Sequence, residues 1–528
     1  MSRPFTLADV FEVVAAACPD RLALVAGETR LSYAELDERA NRIGHALRDR
    51  GLDVGAHVAI LARNRAEWVE TMLGCYKARL VPINVNFRYV EDELRYVLAD
   101  SDAQAVVVER EYLPRLTVIR ADLEVLRAVI VIDGDYEDVL ADASAAGAFG
   151  GRSPDDRYIL YTGGTTGLPK GVVWRQEDIF FGAIGAGNPY APPIAAPEEL
   201  AAKAEQDPVV QVVLAPMMHG GGQWIFFITC CLAGTTVLWT GPTLDAEAVL
   251  RLVERERAHM LMVVGDAMAR PLVDQLAADP SAYDLSSLFV IGSGGAILSA
   301  GVKDQIRRLL PNVMVSDSFG ASETGANGSV QDHDGPAAGP RFTLAPHTQV
   351  LDDDLRPVPP GSDVIGRLAR SGHIPLGYYK DEAKTAATFV TDGDGTRWVV
   401  PGDFARVEKD GTITLLGRGS VSINTGGEKV FPEEVEAVLK AHPDVFDAVV
   451  VGVPDERFAV RVAAVVAPRA GATPTLQTLD QHCRASLAGY KVPRELVIVE
   501  QVTRTPAAKP DYRWAKETAV RSVTAGAS

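Results

Sequence analysis

The chain has 528 residues, of which 47% are hydrophobic and 23% charged, and these shares exclude both wholesale disorder and a membrane protein with many spans. At roughly 150 residues per domain, this length predicts about two to four domains around a large buried core. The formal net charge of -18 argues against nucleic acid as the main partner, because phosphate backbones repel acidic proteins.

The N-terminal segment shows no sign of export. Asp9 and Glu12 interrupt its apolar stretch, so it lacks the core of a signal peptide. The cysteines of the chain form no Cys-x-x-Cys pair, and their odd count is typical of a reducing compartment. They are Cys18, Cys75, Cys230, Cys231 and Cys483. The sequence therefore predicts a cytoplasmic protein.

Helical patterns alternate with short β-branched runs along most of the chain, which is typical of layered α/β proteins. The apolar spacing predicts helices at 33–48 and 68–79. Buried strands are predicted at 105–108, 129–132, 159–161, 260–264 and 289–291. Several such strands imply a largely parallel sheet that helices cover.

The uncharged run at 223–239 is the segment to be compared with a membrane span. It falls short of the ~20 apolar residues that a spanning helix needs. The sequence Gly-Thr-Thr at 234–236 also interrupts it. We interpret the run as a buried helix, a turn and a strand rather than as a membrane contact.

A glycine-rich stretch at 417–427 separates a strand-like run from the helical pattern that begins at residue 432. The segment beyond it has an α+β pattern of two strand-like runs and one further helix. These are predicted at 448–451, 463–466 and 479–487. The predicted fold class is α/β, with a large multi-subdomain N-terminal body of helix-covered β-sheets, residues 1–418, and a small mobile α+β C-terminal domain, residues 419–528.

The strongest local motif is the sequence YTGGTTGLPKG at 161–171, directly after a predicted strand. Its glycines and threonine hydroxyls, followed by Lys170, are groups with which a loop wraps a polyphosphate. It lacks the Gly-Lys-Ser/Thr ending of the P-loop of NTPases, so a different nucleotide-binding loop is predicted. The alternative, a flexible turn between strands, requires neither the threonines nor the lysine.

This motif resembles the phosphate loop of the AMP-forming acyl-CoA synthetases, members of the adenylate-forming (ANL) superfamily. Further motifs of that family follow in the family's order. They are DSFGASET at 317–324, PLGYYKDEAKTAATF at 375–389, PGDFARV at 401–407, LLGRGSVSINTGGEKVFPEEVE at 415–436 and LAGYKVPR at 487–494. Their wording is most similar to that of ligases for steroid side chains, other polycyclic acids and fatty acids. Several independent motifs in one order are far more specific than a lone glycine loop.

The resemblance implies an acid–thiol ligase for a hydrophobic carboxylic acid, either bulky and polycyclic or long-chain. The carboxylate would attack the α-phosphorus of MgATP to give acyl-AMP and pyrophosphate. The C-terminal domain would then turn, and the CoA thiol would attack the acyl carbonyl. The implied cofactors are ATP, Mg²⁺ and coenzyme A. No nucleic acid partner and no membrane span are expected, and a homodimer is left open as the assembly.

The resemblance assigns the first step to side chains that offset charge or approach the reacting atoms. They are Lys509, Thr165, Thr166, Lys170, Glu323 and His219. Lys509 would reach both the acyl carboxylate and the α-phosphate. Glu323 and Thr165 would hold Mg²⁺. A solvated charge or a helix cap is the alternative reading of the charged positions.

Nucleotide contacts are implied at several motifs. Asp403 would accept hydrogen bonds from the ribose hydroxyls, and Arg418 would assist at the ribose or phosphate. The other implied contacts are Thr162, Gly163, Gly164, Gly167, Gly294, Gly295, Ala296, Asp317, Ser318, Phe319, Gly320 and Ser322. For CoA, the resemblance points to Gly426, Gly427, Lys429, Phe458, Lys491 and Arg494. A plain strand-to-helix turn is the alternative for 292–296.

The acyl site is predicted around the sequence that follows Pro216. The implied substrate contacts are His219, Gly220, Gly221, Trp224 and Gly320. His219 resembles the family's gate beside the acyl carboxylate. The three glycines at 220–222 have no side chains to fill space, which predicts a roomy acyl pocket with Trp224 on its wall.

Two positions depart from the family's pattern. Ser420 stands where the hinge usually has Asp or Lys, and Ala508 replaces the glycine before Lys509. If the backbone needs a positive φ there, Lys509 is misplaced, and a ~1 Å error can cost about a hundredfold in rate.

Two alternative functions therefore stay open. One is an enzyme that mainly converts a supplied acyl-adenylate to acyl-CoA. The other, from a different class, is a non-catalytic nucleotide-binding protein. Retention of five charged motif residues argues against the second alternative. They are Lys170, Glu323, Asp403, Arg418 and Lys509.

Overall fold

The computed structural model describes most of the chain, in which a large α/β body is followed by a small C-terminal domain. The described residues are 3–162, 168–188, 191–296, 298–331, 341–418, 422–425, 428–455, 459–505 and 509–526. Within these ranges, every helix is too short or too polar to cross a membrane.

One sheet of the body consists mainly of parallel strands. Its members are β3 (His57–Leu61), β4 (Val81–Asn84), β5 (Ala103–Glu109), β6 (Ala128–Ile132), β7 (Arg157–Thr162), β8 (Lys170–Arg175) and β18 (Gly377–Tyr378). Their order across the sheet is β18-β8-β7-β4-β3-β5-β6. Strands β3 to β7 pair in parallel, whereas β8 runs antiparallel to β7. The ends of β7 and β8 therefore meet at the predicted phosphate loop.

A second, larger sheet forms the rest of the body. Its members are β1 (Leu22–Ala26), β2 (Thr29–Ser32), β9 (Val210–Val213), β10 (Thr235–Leu238), β11 (Met260–Val263), β12 (Val290–Gly294), β13 (Met314–Ala321), β14 (Gly325–Gln331), β15 (Arg341–Leu344), β16 (Thr348–Leu351), β17 (Ile365–Arg370), β19 (Phe389–Thr391), β20 (Arg397–Val399), β21 (Asp403–Val407) and β22 (Ile413–Arg418). The order is β19-β20-β17-β21-β22-β15-β14-β13-β12-β11-β9-β10-β1-β2, with β16 beside β17. Strands β9 to β13 pair in parallel, so their carboxyl ends share one edge.

Helices cover both sheets of the body. They are α1 (Leu7–Ala17), α2 (Tyr33–Asp49), α3 (Ala66–Lys77), α4 (Glu91–Asp100), α5 (Leu113–Ile119), α6 (Tyr136–Asp142), α7 (Gln176–Ala183), α8 (Gly220–Cys231), α9 (Ala246–Arg255), α10 (Gly265–Ala278), α11 (Ala300–Leu309) and α12 (Glu382–Thr388). Helix α2 shows why such segments fold locally. The hydroxyl of its cap, Ser32, accepts a hydrogen bond from the Glu35 backbone N–H at 3.2 Å. The Ser32 backbone N–H in turn donates to the Glu35 carboxylate at 2.7 Å. Leu36, Ile43 and Leu47 of the same helix are fully buried.

The small domain is a three-stranded sheet with helices on both faces and an attached hairpin. Its strands are β23 (Ile423–Thr425), β24 (Glu428–Val430), β25 (Val445–Asp455), β26 (Ala459–Pro468) and β27 (Glu495–Ile498), and its helices are α13 (Pro432–Lys440), α14 (Leu476–Arg484) and α15 (Tyr512–Gly526). Helices α13 and α14 pack on one face of β25, and α15 packs on the other. Burial on both faces explains the continuous apolar run of β25.

The structure confirms the elements predicted from hydrophobic patterns. The predicted helices are α2 and α3, and the predicted strands are β5, β6, β7, β11 and β12. The uncharged run at 223–239 forms most of α8, a turn and β10, as predicted. Two predicted helices begin earlier and end earlier than predicted: the one at 68–79 is Ala66–Lys77, and the one at 479–487 is Leu476–Arg484. Thr475 fixes the start of the latter by accepting from the Thr478 backbone at 3.2 Å.

Candidate active site

A cavity of about 210 Å³ lies between the body and the small domain. The body lines it with the predicted nucleotide contacts Gly295, Ala296, Asp317, Ser318, Phe319, Gly320 and Asp403. The small domain contributes Glu433, Glu436, Lys440, Arg504, Lys509, Pro510 and Tyr512. Residues that are more than a hundred positions apart in sequence therefore meet at one site, and Lys509 is among them.

The adenine wall predicted from the sequence lies at the carboxyl ends of β12 and β13, the edge at which open α/β sheets bind ligands. Gly294 pairs with Ser318, whose hydroxyl donates to the Ser293 carbonyl at 2.9 Å. A methyl group on Gly320 would lie 2.1 Å from the Gly325 carbonyl oxygen, and Gly295 has a φ of +80°. These glycines are required by close packing and backbone conformation, so the cavity wall here is made of backbone.

Asp317 does not face the cavity as a free carboxylate. Its Oδ2 lies 2.7 Å from the Lys303 ammonium of α11, and the residue is 4% exposed. The ion pair ties β13 to α11 behind the cavity. Asp317 thus lies where the sequence predicts a nucleotide contact, and its charge is balanced by the protein itself.

Part of the predicted site lies outside the described residues. This applies to Gly163, Gly164, Thr165, Thr166, Gly167, Gly426, Gly427 and Phe458, and to the side chains of Arg418 and Lys429. Their roles stay predictions. The two residues that flank the phosphate loop are described, since Thr162 at the end of β7 pairs with Lys170 at the start of β8.

Lys170 forms an ion pair with Asp381, which also caps α12 by accepting from the Lys384 backbone at 2.8 Å. Asp381 belongs to the motif at 375–389, so two separate motifs of the resemblance meet here. Lys170 is positioned by this contact at the side of the phosphate loop, and it does not line the cavity in this arrangement.

Glu323 lies beside the same strands. Its Oε1 accepts a hydrogen bond from the Tyr378 hydroxyl at 2.9 Å, and the carbonyl of the preceding Ser322 accepts from the Trp174 indole at 3.0 Å. Tyr378 is in β18 and Trp174 in β8, so the sheet that carries the phosphate loop orients the carboxylate through Tyr378 and holds the adjoining backbone through Trp174. Among the described side chains, His, Cys, Asp and Glu form no group of three or more that could hold a metal ion.

Asn84 connects the two predicted substrate loops and was missed from the sequence. Its amide nitrogen donates to the Tyr161 carbonyl at 2.8 Å and to the Met218 carbonyl at 2.7 Å. Its oxygen accepts from the Tyr161 backbone at 2.7 Å. Asn84 therefore fixes the strand that enters the phosphate loop against the segment that precedes His219. A polar residue at the end of a buried strand was the signal available in the sequence.

The predicted acyl segment begins α8, and the structure corrects the argument about its glycines. A methyl group on Gly220 would lie 2.8 Å from Leu160 Cδ2, and one on Gly222 would lie 2.6 Å from the Pro216 carbonyl oxygen. These two glycines are required for close packing. Only Gly221 of the three faces open space, so the prediction of free volume applies to this position alone.

Trp224 is half-buried and held in place by a chain of hydrogen bonds. Its indole donates to the Tyr158 hydroxyl at 3.2 Å, and that hydroxyl donates to the Gln223 oxygen at 2.8 Å. Gln223 in turn donates to the Met217 carbonyl at 2.9 Å. Burial raises the pKa of Tyr158, so its hydroxyl stays a donor at neutral pH. Trp224 is thus held in place in the first half of α8, which begins directly after His219.

A pair of alanine substitutions tests this reading of the glycines. Gly222→Ala is expected to lower the free energy of unfolding by about 1–3 kcal/mol, because its methyl group overpacks against backbone. Gly221→Ala is expected to raise it by up to about 1 kcal/mol, because alanine favours the helix and meets no atom. Urea unfolding of both variants measures the difference, and equal stabilities would contradict the assignment.

Lys491 and Arg494, both predicted to bind CoA, lie in the small domain. The Lys491 ammonium is 2.7 Å from both carboxylate oxygens of Glu434 on α13. Arg494 is exposed, and its backbone donates to the Val462 carbonyl at 2.8 Å. In this arrangement Lys491 and Arg494 do not line the cavity that holds Lys509.

Helix α10 connects the cavity to the small domain. Its first turn contains Asp266, which lines the cavity and pairs with Arg270 at 3.0 Å. The Arg270 guanidinium lies 5.9 Å from the ring of Phe446 in the small domain. Further along the helix, Asp274 pairs with Arg469 of the small domain at 3.3 Å. These contacts hold the small domain in the position that places Lys509 in the cavity.

For the two-step reaction that the resemblance implies, breaking the contact between Asp274 and Arg469 is expected to slow acyl-adenylate formation by up to about fivefold. Partly exposed ion pairs contribute about 0.2–1 kcal/mol, and this one joins the small domain to the body in the observed arrangement. Asp274→Ala should leave acyl-CoA formation from supplied acyl-AMP unchanged. The double variant Asp274→Arg with Arg469→Asp should recover the adenylation rate, and a failure to recover would argue against a direct pair.

The comparisons with known proteins agree with this geometry. The family described as AMP-binding enzyme matches residues 11–379, and the family described as AMP-binding enzyme C-terminal domain matches 434–509. The chain is 49% identical to a medium/long-chain-fatty-acid-CoA/3-oxocholest-4-en-26-oate-CoA ligase of Mycolicibacterium smegmatis, over 97% of this chain and 96% of that protein. The chain belongs to the AMP-binding enzyme family. The predicted enzyme class, an acid–thiol ligase of the adenylate-forming superfamily, is thereby confirmed.

Three further similarities of this AMP-binding enzyme are informative. A 3-oxocholest-4-en-26-oate-CoA ligase of Rhodococcus rhodochrous is 46% identical, over 97% of this chain and 95% of that protein. The crystal structure of ATP-bound MatB from Rhodopseudomonas palustris superimposes with a TM-score of 0.83 at 26% identity, over 98% of this chain and 99% of that one. An anthranilate CoA ligase in complex with anthranoyl-AMP shares the fold at a TM-score of 0.87 and 23% identity, over 99% of both chains.

Proposed function

We propose that the protein is an AMP-forming acyl-CoA ligase for medium- or long-chain fatty acids and for steroid side-chain acids. The observation that carries the chemistry is the cavity shared by Asp403 of the body and Lys509 of the small domain. The substrate class is supported by the relatives that are 49% and 46% identical over nearly the whole chain. A non-catalytic nucleotide-binding protein is not favoured by these relatives.

In the first step, the carboxylate of the acid attacks the α-phosphorus of ATP, and the bond to pyrophosphate breaks. Asp403 accepts hydrogen bonds from the ribose hydroxyls and so fixes the nucleotide. The Lys509 ammonium approaches both reacting groups and offsets the negative charge that builds up as they meet. The Thr165 and Thr166 hydroxyls and Lys170 hold the departing phosphates.

Mg²⁺ would neutralise charge on the phosphates of ATP when it is bound. Glu323 fits the role of its protein ligand, because Mg²⁺ in such sites is held by one or two carboxylates together with phosphate oxygens. The hydrogen bond from Tyr378 orients this carboxylate. His219 and Gly320 would lie beside the acyl carboxylate.

In the second step, the small domain turns about residues 419–421, which is where we divide the two domains. Strand β22 ends at Arg418 within the body, and β23, beginning at Ile423, already packs with β25 and β26. The turn would withdraw Lys509 and bring the segment with Gly426, Gly427 and Lys429 to the acyl-adenylate. The CoA thiol then attacks the acyl carbonyl, and AMP leaves. A cytoplasmic location is proposed as well, supported by the free state of all five cysteines.

Product analysis tests the substrate class. The enzyme is incubated with ATP, Mg²⁺ and CoA, and with dodecanoate, palmitate, 3-oxocholest-4-en-26-oate or benzoate, and thioesters are detected by mass spectrometry. We expect products from the fatty acids and the steroid acid. Formation of benzoyl-CoA alone would overturn the proposed substrate class.

A size series at Gly221 examines the acyl site itself. Gly221→Trp is expected to lower kcat/KM for the steroid acid at least tenfold more than for dodecanoate, because the indole would occupy the open space. Gly221→Ala is the matched control with little added volume. An equal loss of kcat/KM for both acids would indicate that the acyl group does not bind at Gly221.

A further inference from the structure

The loop that carries Lys509 is closed at its base by backbone contacts. Arg504 and Pro510 form an antiparallel bridge, and the Thr505 backbone donates to the Lys509 carbonyl at 2.7 Å. The Asp511 backbone donates to the Thr503 carbonyl at 3.1 Å. The backbone of Lys509 is therefore fixed relative to Arg504, and whatever fixes Arg504 also fixes Lys509.

Asp447 of β25 holds Arg504. The Arg504 guanidinium donates to Asp447 Oδ2 at 2.5 Å, and the Lys440 ammonium of α13 lies 3.4 Å from Oδ1. Asp447 is 9% exposed, and the backbone of Ala448 donates to its Oδ1 at 2.9 Å. Burial alone would raise the pKa of Asp447, but Lys440 and Arg504 outweigh burial and hold its pKa below the usual value. Asp447 is thus a buried, ionised carboxylate between two cations.

Glu436 of α13 holds the chain on the other side of Lys509. It is 1% exposed, and its Oε1 accepts from the Val450 backbone at 3.0 Å. The hydroxyl of Tyr512, the first residue of α15, interacts with the Glu436 carboxyl and partly offsets the effect of burial on its pKa. Burial raises the pKa of Glu436. Tyr512 is the third residue after Lys509, so the chain is held on both sides of the lysine.

Asp447 and Glu436 contact the segment that carries Lys509 where this segment borders the cavity. Arg504, Lys440, Glu436 and Tyr512 all line the cavity together with Lys509. Buried ion pairs contribute little to net stability, since desolvation offsets their attraction, so stability alone gives weak reason for this cluster. A lysine side chain is flexible, whereas charge stabilisation of a reacting centre requires placement within about 1 Å. The chain also has alanines at 507 and 508, before Lys509.

We propose that Asp447 and Glu436 are positioning residues for Lys509, which they hold in the nucleotide cavity by fixing Arg504 on one side of it and Tyr512 on the other. This inference rests on the proposed ligase activity. It adds to that activity two residues that act through Lys509 and only on the first half-reaction.

Asp447→Asn tests the inference, since it removes the charge and keeps the size. Wild-type acyl-CoA formation is established first, so that failure of the proposed function is recognised separately. The variant is expected to slow acid-dependent pyrophosphate release at least tenfold, with the KM for ATP within about twofold, and to convert synthetic acyl-AMP and CoA at the wild-type rate. Asp480→Asn is the matched control, because it deprives Arg484 of its partner in the same domain, at 2.7 Å, outside the cavity.

The decisive comparison uses Lys509→Ala as background. If Asp447 acts through Lys509, then Asp447→Asn causes no further loss of pyrophosphate release when Lys509 is already alanine. A further loss of the same size, an equal loss in both half-reactions, or an unchanged rate in Asp447→Asn would each overturn the inference. If Asp447→Asn does not fold, Arg504→Gln is compared in the same way, with and without Lys509. Glu436→Gln tests the contact on the other side of Lys509 by the same measurement.

Discussion

Lys509→Ala is expected to slow acyl-adenylate formation by about two to three orders of magnitude. Removing one preorganised group that stabilises transition-state charge typically has an effect of this size. Lys509 lines the cavity together with Asp403 and the backbone wall of β12 and β13. Among the described lysines of the small domain, Lys440 alone also lines it. Lys440 is paired with Asp447 at 3.4 Å, so it is a poor substitute.

The two half-reactions separate this effect from a loss of structure. Pyrophosphate release from ATP and acid should collapse in Lys509→Ala, whereas acyl-CoA formation from synthetic acyl-AMP should stay within about threefold of the wild type. Lys516→Ala is the control, because Lys516 is an exposed lysine of α15 in the same domain. Equal losses in both half-reactions would contradict the assigned role.

Asp403→Asn is expected to raise the KM for ATP by about ten- to a hundredfold. Hydrogen bonds to a charged group contribute about 1.5–3 kcal/mol, and the amide keeps the shape of the carboxylate but loses its charge and one acceptor. Asp403 begins β21 and lies opposite Arg418 in the strand register, so the strand pair fixes its position at the cavity. Asp410→Asn, in the exposed turn between β21 and β22, is the matched control.

A modified nucleotide shows whether Asp403 contacts the ribose. In the wild type, 3′-deoxy-ATP should bind more weakly than ATP, because one hydroxyl donor is missing. In Asp403→Asn the difference in affinity between ATP and 3′-deoxy-ATP should be smaller, because the neutral amide is a weaker acceptor for the 3′-hydroxyl than the carboxylate. An unchanged difference would contradict a contact between Asp403 and the 3′-hydroxyl.

Local features of the sequence predicted much of the fold. The apolar spacing of α2, the β-branched runs of β5 and β6, and the interruption before β10 depend on residues within about ten positions of each other. The motif at 317–324, which forms the end of β13 at the cavity, is local in the same sense. Such features report backbone conformation and hydrogen bonding directly, so sequence patterns were sufficient for them.

Contacts between distant segments could not be predicted in this way. Arg504 and Asp447 are 57 positions apart, and Asn84 joins segments 77 and 134 positions away. Their residue types match many solvated positions, so only the folded chain distinguishes them. Glycines pose a related problem, because the sequence does not show whether a missing side chain leaves space, as at Gly221, or permits contact, as at Gly222.

Pyrophosphate release before CoA is added shows whether this chain carries out the adenylation step. One chain is proposed to activate its own acid, although Ala508 stands before Lys509 where the family usually has glycine. The wild-type enzyme, mixed with ATP, Mg²⁺ and palmitate or the steroid acid, should release one equivalent of pyrophosphate per active site in a rapid burst. Addition of CoA should then give steady turnover with one AMP per thioester. Absence of the burst, together with efficient thioester formation from synthetic acyl-AMP, would contradict the account.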